Sequence, residues 1–125
     1  DAVDLVWRAF EDSAGGEIYV KKIPSMKVTD VALALAPGIK LDHVGIRPGE
    51  KIHEQMIGAE DAPHTYEYSD IYKIMPNLPI WGNSSLPVGS GKKVSEGFTY
   101  SSGSNTQWMS AKELQKWVAD NVSSQ

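Results

Sequence analysis

The chain has 125 residues, with 12 Lys plus Arg against 16 Asp plus Glu and a net charge of −4; that balance argues against nucleic acid as a partner, because a phosphate backbone calls for clustered positive charge. A hydrophobic content of 41% is enough for the core of one domain, and no apolar run approaches the ~20 residues of a membrane span. The absence of cysteine excludes disulfides and thiolate metal sites and fits a cytoplasmic protein.

The chain opens at Asp1, without methionine, in a charged amphipathic pattern unlike a signal peptide, so an upstream segment is expected. Val3, Val6, Trp7 and Phe10 recur at helical spacing, which predicts an amphipathic helix over residues 2–12 that stops at Gly15-Gly16. Ile18 to Val20 reads as a short strand. The Lys21 to Lys27 loop contains Pro24, which keeps it out of regular structure. Thr29 is the expected N-cap of a second helix with Asp30 in its first turn, a buried stripe of Val28, Val31, Ala32 and Leu35, and an end at Pro37-Gly38. His43 to Ile46 reads as a second strand, and Glu50 to Ile57 as a short third helix with Ile52 and Met56 inward. Strand, helix, strand in that order predicts a parallel pair with a right-handed crossover.

After Gly58 the pattern changes. Thr65 to Pro76 is tyrosine-rich and reads as extended, with Tyr66, Tyr68, Tyr72 and Ile74 alternating with polar neighbours. Residues 77–97 hold Pro79, Gly82, Pro87, Gly89 and Gly91 and read as a long irregular loop, a length usually reserved for function or for ordering by a partner. Ser110 to Glu113 forms a capping box for a last helix, with Leu114, Trp117, Val118 and Val122 as its stripe and Trp117 facing the core. The expected fold class is therefore α/β: a small lobe with a short parallel strand pair flanked by helices, an extended tyrosine-rich segment, a long loop and a C-terminal helix, all in one domain over residues 1–125.

The phrase Ile46-Arg47-Pro48-Gly49-Glu50-Lys51-Ile52-His53-Glu54 carries the chemistry. Pro48 biases Arg47 to extended dihedrals and is itself tolerated in a first helical turn. The expectation is a guanidinium beside the positive end of a helix, suited to a phosphate or diphosphate that an Arg fork can grip twice, with Glu50 beside it to accept from sugar hydroxyls. The plain alternative is a surface Arg and a Glu that favours the helix dipole. Lys21, Ser25 and Lys27 bracket the loop after the first strand; ligands in open α/β sheets gather at such ends, so these residues form either a wall of the same pocket or a solvated basic loop. His53-Glu54 begins a zinc-protease pattern, but Ile57 stands where the second histidine belongs. His43 and His64 are scattered, and no metal site is expected. Asp30 and Glu50 follow no carboxylate-pair spacing, and each has a helix-start explanation.

Three phrases give a resemblance: GGEIYVKKIPSMKVTDVA from Gly15 to Ala32, GIRPGEKIHEQMI from Gly45 to Ile57, and TYSSGSNTQWMS from Thr99 to Ser110. Together they resemble the inverting UDP-N-acetylglucosamine 4,6-dehydratases of the extended short-chain dehydrogenase/reductase superfamily, over nearly the whole chain and in the right order. The resemblance is to the carboxyl-terminal, substrate-binding part alone. It implies that Arg47 binds the diphosphate of a UDP-sugar and Glu50 its ribose, in an NADP-dependent enzyme of surface polysaccharide or glycan biosynthesis. The parent reaction would take hydride from C4 of the hexose, eliminate water across C5–C6 and return hydride at C6.

The machinery for that reaction is absent. Gly89-Ser90-Gly91-Lys92-Lys93-Val94 lacks the third glycine of a dinucleotide fingerprint, and Gly91-Lys92 is followed by Lys93 where a Walker loop needs Ser or Thr. Residues four after Tyr19, Tyr66, Tyr68, Tyr72 and Tyr100 are Ile23, Asp70, Tyr72, Pro76 and Ser104, so the Tyr-Lys catalytic pair is missing. The chain is expected to bind no NADP and to catalyse nothing alone; its expected partners are a UDP-sugar and the missing Rossmann half of the enzyme. The other reading is a stand-alone, non-enzymatic binding or self-association domain, homo-oligomeric through an exposed apolar face. A small hydrolase has no motif to support it.

Overall fold

The computed structural model describes residues 2–77 and 88–122. They cluster into two compact units: Asp1–Lys22 with Gln55–Tyr100, and Ile23–Glu54 with Ser101–Gln125.

The first unit begins with helix α1, Ala2–Asp12, as its periodicity predicts. Strand β1, Ile18–Lys21, follows after Gly15 and Gly16, both at positive φ. The chain returns with β2 (Gln55–Ile57), a 3-10 turn (Ala62–His64), β3 (Thr65–Glu67), β4 (Ile71–Ile74), β5 (Lys92–Lys93) and β6 (Tyr100–Ser101). Four of these strands form a sheet in the order β1-β4-β3-β5, every pairing antiparallel, while β2 and β6 make a two-stranded sheet. The predicted parallel pair is therefore corrected: β1 takes β4 as its partner, with Val20 opposite Tyr72.

Strand β4 organises this unit. All four of its residues are buried, which the period-2 reading of the tyrosine-rich segment did not foresee. Alternation requires one wet face, whereas β4 is central and covered on both. On one face Tyr72 and Ile74 join Val20, Ile57 and Tyr100, with Val94 and Phe98 packed against them. The Tyr72 ring lies 5.2 Å from both Phe98 and Tyr100 in tilted contacts, the geometry aromatic quadrupoles favour. The other face carries Lys73, only 5% exposed. Its ammonium donates to the Asp12 carboxylate of α1 and lies 5.0 Å from the Tyr19 ring and 4.8 Å from the Tyr68 ring. Burial opposes that charge, but Asp12 and the tyrosines outweigh it and raise the Lys73 pKa, while the hydrogen bond from Lys73 lowers that of Asp12.

Helix α1 is thus held to the sheet by polar contacts. Arg8 grips both oxygens of Asp70 at 2.8 and 2.9 Å, and Asp12 accepts from Tyr19 as well as Lys73. The predicted apolar stripe of Val3, Val6, Trp7 and Phe10 is exposed, Phe10 to 77%. After the helix, Glu17 accepts from the Ser13 hydroxyl at 2.6 Å and from the Ala14 and Gly15 amides at 2.9 and 2.8 Å.

The second unit packs helix α2, Val28–Leu35, against helix α3, Ala111–Val122. Gln115 donates to the Ala34 carbonyl at 3.1 Å, and Ala34 is the buried residue of α2. The predicted stripe is displaced, since Val28 and Leu35 are exposed. The N-cap of α2 is Lys27 rather than Thr29, which lies inside the helix. The capping box of α3 forms as predicted: Ser110 N–H and hydroxyl both donate to Glu113, whose own N–H returns to the Ser110 hydroxyl. Trp117 is half exposed, not core. The long-loop expectation over 77–97 falls partly on residues 78–87, outside the described residues, as does the side chain of Val122; within the remainder, β5 pairs with β3.

Two outcomes test this arrangement. Asp12→Ala leaves a buried ammonium without its carboxylate and should cost about 2–3 kcal/mol in urea denaturation, below the ~3–5 kcal/mol of a fully buried pair because Asp12 is half exposed. Adding Lys73→Met to that variant should recover part of the loss. Burial alone would raise the Glu17 pKa, but its hydrogen bonds from Ser13, Ala14 and Gly15 bring it down to about 2 from 4.5. Its stabilisation is full above pH 4.5 and disappears as pH falls through about 2. Glu17→Gln should therefore lower the thermal midpoint most at neutral pH, where the contribution is full, and flatten the acid limb between pH 4.5 and about 2, with wild type and variant converging at the acid end.

Candidate functional site

Residues 39–54 hold no helix or strand, which corrects both the His43–Ile46 strand and the Glu50–Ile57 helix. Gly45, inside the expected strand, adopts φ of +81°, which no strand visits; the expected helix is lost because Glu50 closes a turn on Arg47 and Gln55–Ile57 is taken into pairing with β6. Val44 and Ile52 consequently point to solvent, and Gln55–Ile57 pairs as β2.

Arg47-Pro48-Gly49-Glu50 is a closed turn. The Glu50 N–H donates to the Arg47 carbonyl at 3.0 Å, with proline and a positive-φ glycine at the two central positions, as a type II turn demands. Glu50 reinforces it by accepting the Arg47 N–H at 2.9 Å, and its other carboxylate oxygen lies 3.9 Å from the guanidinium. No helix begins here, so Arg47 gains nothing from a helix dipole. Its side chain is 79% exposed. Most of its donors face outward from a rigid turn.

The turn continues from an open groove of about 470 Å³ between α2 and the segment before it. Val28, Thr29 and Ala32 line one side; residues 41–46 line the other and lead directly into Arg47. The volume falls within the range of small-molecule sites.

The remaining predicted residues divide between the units. Ser25 is buried and committed: its N–H donates to Gln107, its carbonyl accepts from Met109, and its hydroxyl accepts from Asn105 at 3.0 Å. This also corrects the expectation that the Pro24 loop stays irregular, since Ser25 makes a parallel bridge to Trp108. Lys27 is exposed at the start of α2, and its carbonyl accepts from Asp30 and Val31. Lys21 belongs to the other unit, on β1, 3.8 Å from Asp70. The structure therefore places Ser25, Lys27, Arg47 and Glu50 in one unit and Lys21 in the other.

The sequence reading gave no role to residues 102–105, yet they hold this unit's loops. Asn105 donates to the Ile23 carbonyl at 2.8 Å as well as to Ser25. The Ser102 hydroxyl meets His53 Nδ1 at 3.2 Å and accepts the Glu54 N–H at 3.1 Å. A serine-glycine-asparagine run inside a quoted family phrase was the available signal.

The glycine run Gly89-Ser90-Gly91 is not a phosphate cradle. Gly91 N–H closes a turn on Val88 and leads into β5, and a Cβ on Gly91 would meet the Tyr68 ring at 2.5 Å, so this glycine makes room for a tyrosine. The Lys73 ammonium faces the rings of Tyr19 and Tyr68 in an ion-paired core, unlike a catalytic pair. Among the described residues no three His, Asp or Glu converge as a metal site, and no helix is long and apolar enough to cross a membrane.

Comparisons with known proteins agree with the sequence resemblance. The family model described as polysaccharide biosynthesis protein matches residues 1–76. An inverting UDP-N-acetylglucosamine 4,6-dehydratase of Campylobacter jejuni is 46% identical over 119 residues, covering 91% of this chain and 36% of that protein. A UDP-glucose 4-epimerase of Rickettsia akari is 31% identical over 120 residues, covering 93% of this chain and 35% of the epimerase. The X-ray structure of Pen from Bacillus thuringiensis superposes with a TM-score of 0.75 at 23% identity, over 97% of this chain and 36% of that one, a likeness of fold. The chain thus spans about a third of the length of these relatives. It belongs to the polysaccharide biosynthesis protein family.

Gly49→Ala should strain the Arg47 turn, because φ of +88° is costly for alanine although space is open. The expected loss is about 1 kcal/mol by urea denaturation, and a neutral result would contradict the turn.

Proposed function

We propose that, within the polysaccharide biosynthesis protein family, this chain is the nucleotide-sugar-binding lobe of an NADP-dependent UDP-N-acetylglucosamine 4,6-dehydratase and is not catalytic alone. The observation that carries the reading is the rigid Arg47–Glu50 turn at the end of the α2 groove, with its guanidinium exposed. An Arg fork held on a turn can make two charge-assisted hydrogen bonds to a diphosphate at little ordering cost. Glu50 uses one carboxylate oxygen to hold the turn and keeps lone pairs for ribose hydroxyls. The names of two relatives, a dehydratase and an epimerase, both specify UDP-sugars, which supports a site for the shared UDP portion.

Lys27 supplies a second cation at the start of α2, in the same unit as Arg47; Lys21 stands on β1 in the other unit, and its part in the site rests on the sequence reading alone. Ser25 contributes through the shape of the Pro24 loop, since its hydroxyl is already engaged. The glycine run at 89–91 does not fit NADP, because it leads into a strand with a tyrosine packed on it. Hydride chemistry and its Tyr-Lys pair are therefore assigned to the rest of the enzyme, the Rossmann half, and a cytoplasmic location is part of this reading.

One observation favours a second reading, a self-associating domain derived from such an enzyme. The outward stripe of Val3, Val6, Trp7 and Phe10 seeks cover. Sedimentation separates the two, because a monodisperse monomer counts against self-association.

Arg47→Ala should weaken binding of UDP-N-acetylglucosamine by about 1.5–3 kcal/mol, or roughly 10- to 150-fold, the scale of charged hydrogen bonds. Titration calorimetry showing equal affinity for the variant would remove Arg47 from the site.

A further inference from the structure

The Ser102–Asn105 turn grips both segments assigned above to the ligand, and it does so from one short stretch of chain. At one end Ser102 holds the exit of the Arg47 turn. Its hydroxyl meets His53 Nδ1 at 3.2 Å and accepts the Glu54 N–H at 3.1 Å, while its own N–H donates to the Glu54 carbonyl at 2.8 Å. The His53 ring lies on Gly103, where a Cβ would sit 2.9 Å from Cγ, so only glycine admits the ring there. At the other end Asn105 holds the Pro24 loop, donating to the Ile23 carbonyl at 2.8 Å and the Ser25 hydroxyl at 3.0 Å. The turn is self-braced: the Ser101 and Ser104 hydroxyls lie 3.0 Å apart, and Asn105 N–H donates to the Ser101 carbonyl at 3.0 Å.

From this geometry we infer that the Ser102–Asn105 turn is the positioning element of the nucleotide-diphosphate site, setting the Pro24 loop and the Arg47 turn at a fixed spacing without touching the ligand. The inference rests on the UDP-sugar reading. It also gives His53, left without a role by the zinc and dehydratase patterns, a mechanical one: its ring against Gly103 and its Nδ1 on Ser102 anchor the residues that follow Glu50. Charged ligands reward such spacing steeply, because a guanidinium displaced by even about 1 Å loses bidentate geometry.

The test is a mutant cycle read by UDP titration of the 125-residue protein, using Arg47→Ala, Ser102→Ala, Ser102→Thr, Asn105→Ala and the double variant of Arg47→Ala with Ser102→Ala. Ser102→Ala and Asn105→Ala should each weaken UDP by about three- to tenfold, and Ser102→Thr, which keeps the hydroxyl, should restore affinity to within about twofold. The double variant should bind no more weakly than Arg47→Ala alone, because Ser102 acts through Arg47. A merely structural role would lower the melting temperature without that non-additivity. The inference is overturned if Arg47→Ala weakens UDP while Ser102→Ala and Asn105→Ala do not, or if the effects multiply. Equal UDP binding by wild type and Arg47→Ala overturns the UDP-sugar reading itself, and the inference with it. If Ser102→Ala fails to fold, Asn105→Ala decides through the Pro24 loop that it holds: a three- to tenfold loss of UDP affinity supports the inference, and unchanged affinity overturns it.

Discussion

A central strand buried on both faces constrains the first unit. Four consecutive buried residues in β4 require a strand at each edge and cover above and below. One of the four is lysine, and an ammonium cannot be taken out of water uncompensated. Asp12 at the end of α1 and the rings of Tyr19 and Tyr68 supply that compensation, so the position of α1 follows from the charge at Lys73. Arg8 and Asp70 repeat the device nearer the helix start. A helix held by its polar residues turns its apolar stripe outward, which explains how the most regular hydrophobic periodicity in the chain ends on the surface.

The second unit is built differently. Its helices account for the packing, but its loops are governed by two left-handed glycines and one polar turn. Gly45 and Gly49 free the Arg47 segment from regular structure, and the proline-glycine turn makes that segment rigid without a helix. Ser102 and Asn105 then tie it and the Pro24 loop to the same short stretch. Backbone hydrogen bonds thus hold the Arg47 turn in place of the helix start expected from the residues.

Much of this was legible in the residues where local chemistry decides. Helix α1 followed from its spacing, and α3 from a capping box whose hydrogen bonds are all present. The family followed from three phrases in order. Tertiary pairing was not legible. Val44 and Ile46 have strand propensity, but an intervening glycine at positive φ removes the strand, and a lone glycine takes either sign of φ about as readily. Parallel pairing was inferred from element order, whereas β1 found its partner in β4, far along the chain. Thr29 was the better capping residue by type, yet the cap is Lys27, two positions earlier. Arg47 and Glu50 were identified together and do meet, in a turn rather than at a helix start, while Ser102 and Asn105 were hidden because turn residues look alike until their partners are known.

The claim that matters most is that a nucleoside diphosphate binds along the α2 groove and ends on the Arg47 turn. Amide chemical shifts recorded during titration with UDP-N-acetylglucosamine address it residue by residue. Perturbations concentrated at 27–32 and 41–50, and lost on Arg47→Ala, are the expected result. Saturable shifts confined to other parts of the chain, or unchanged by that substitution, would contradict it.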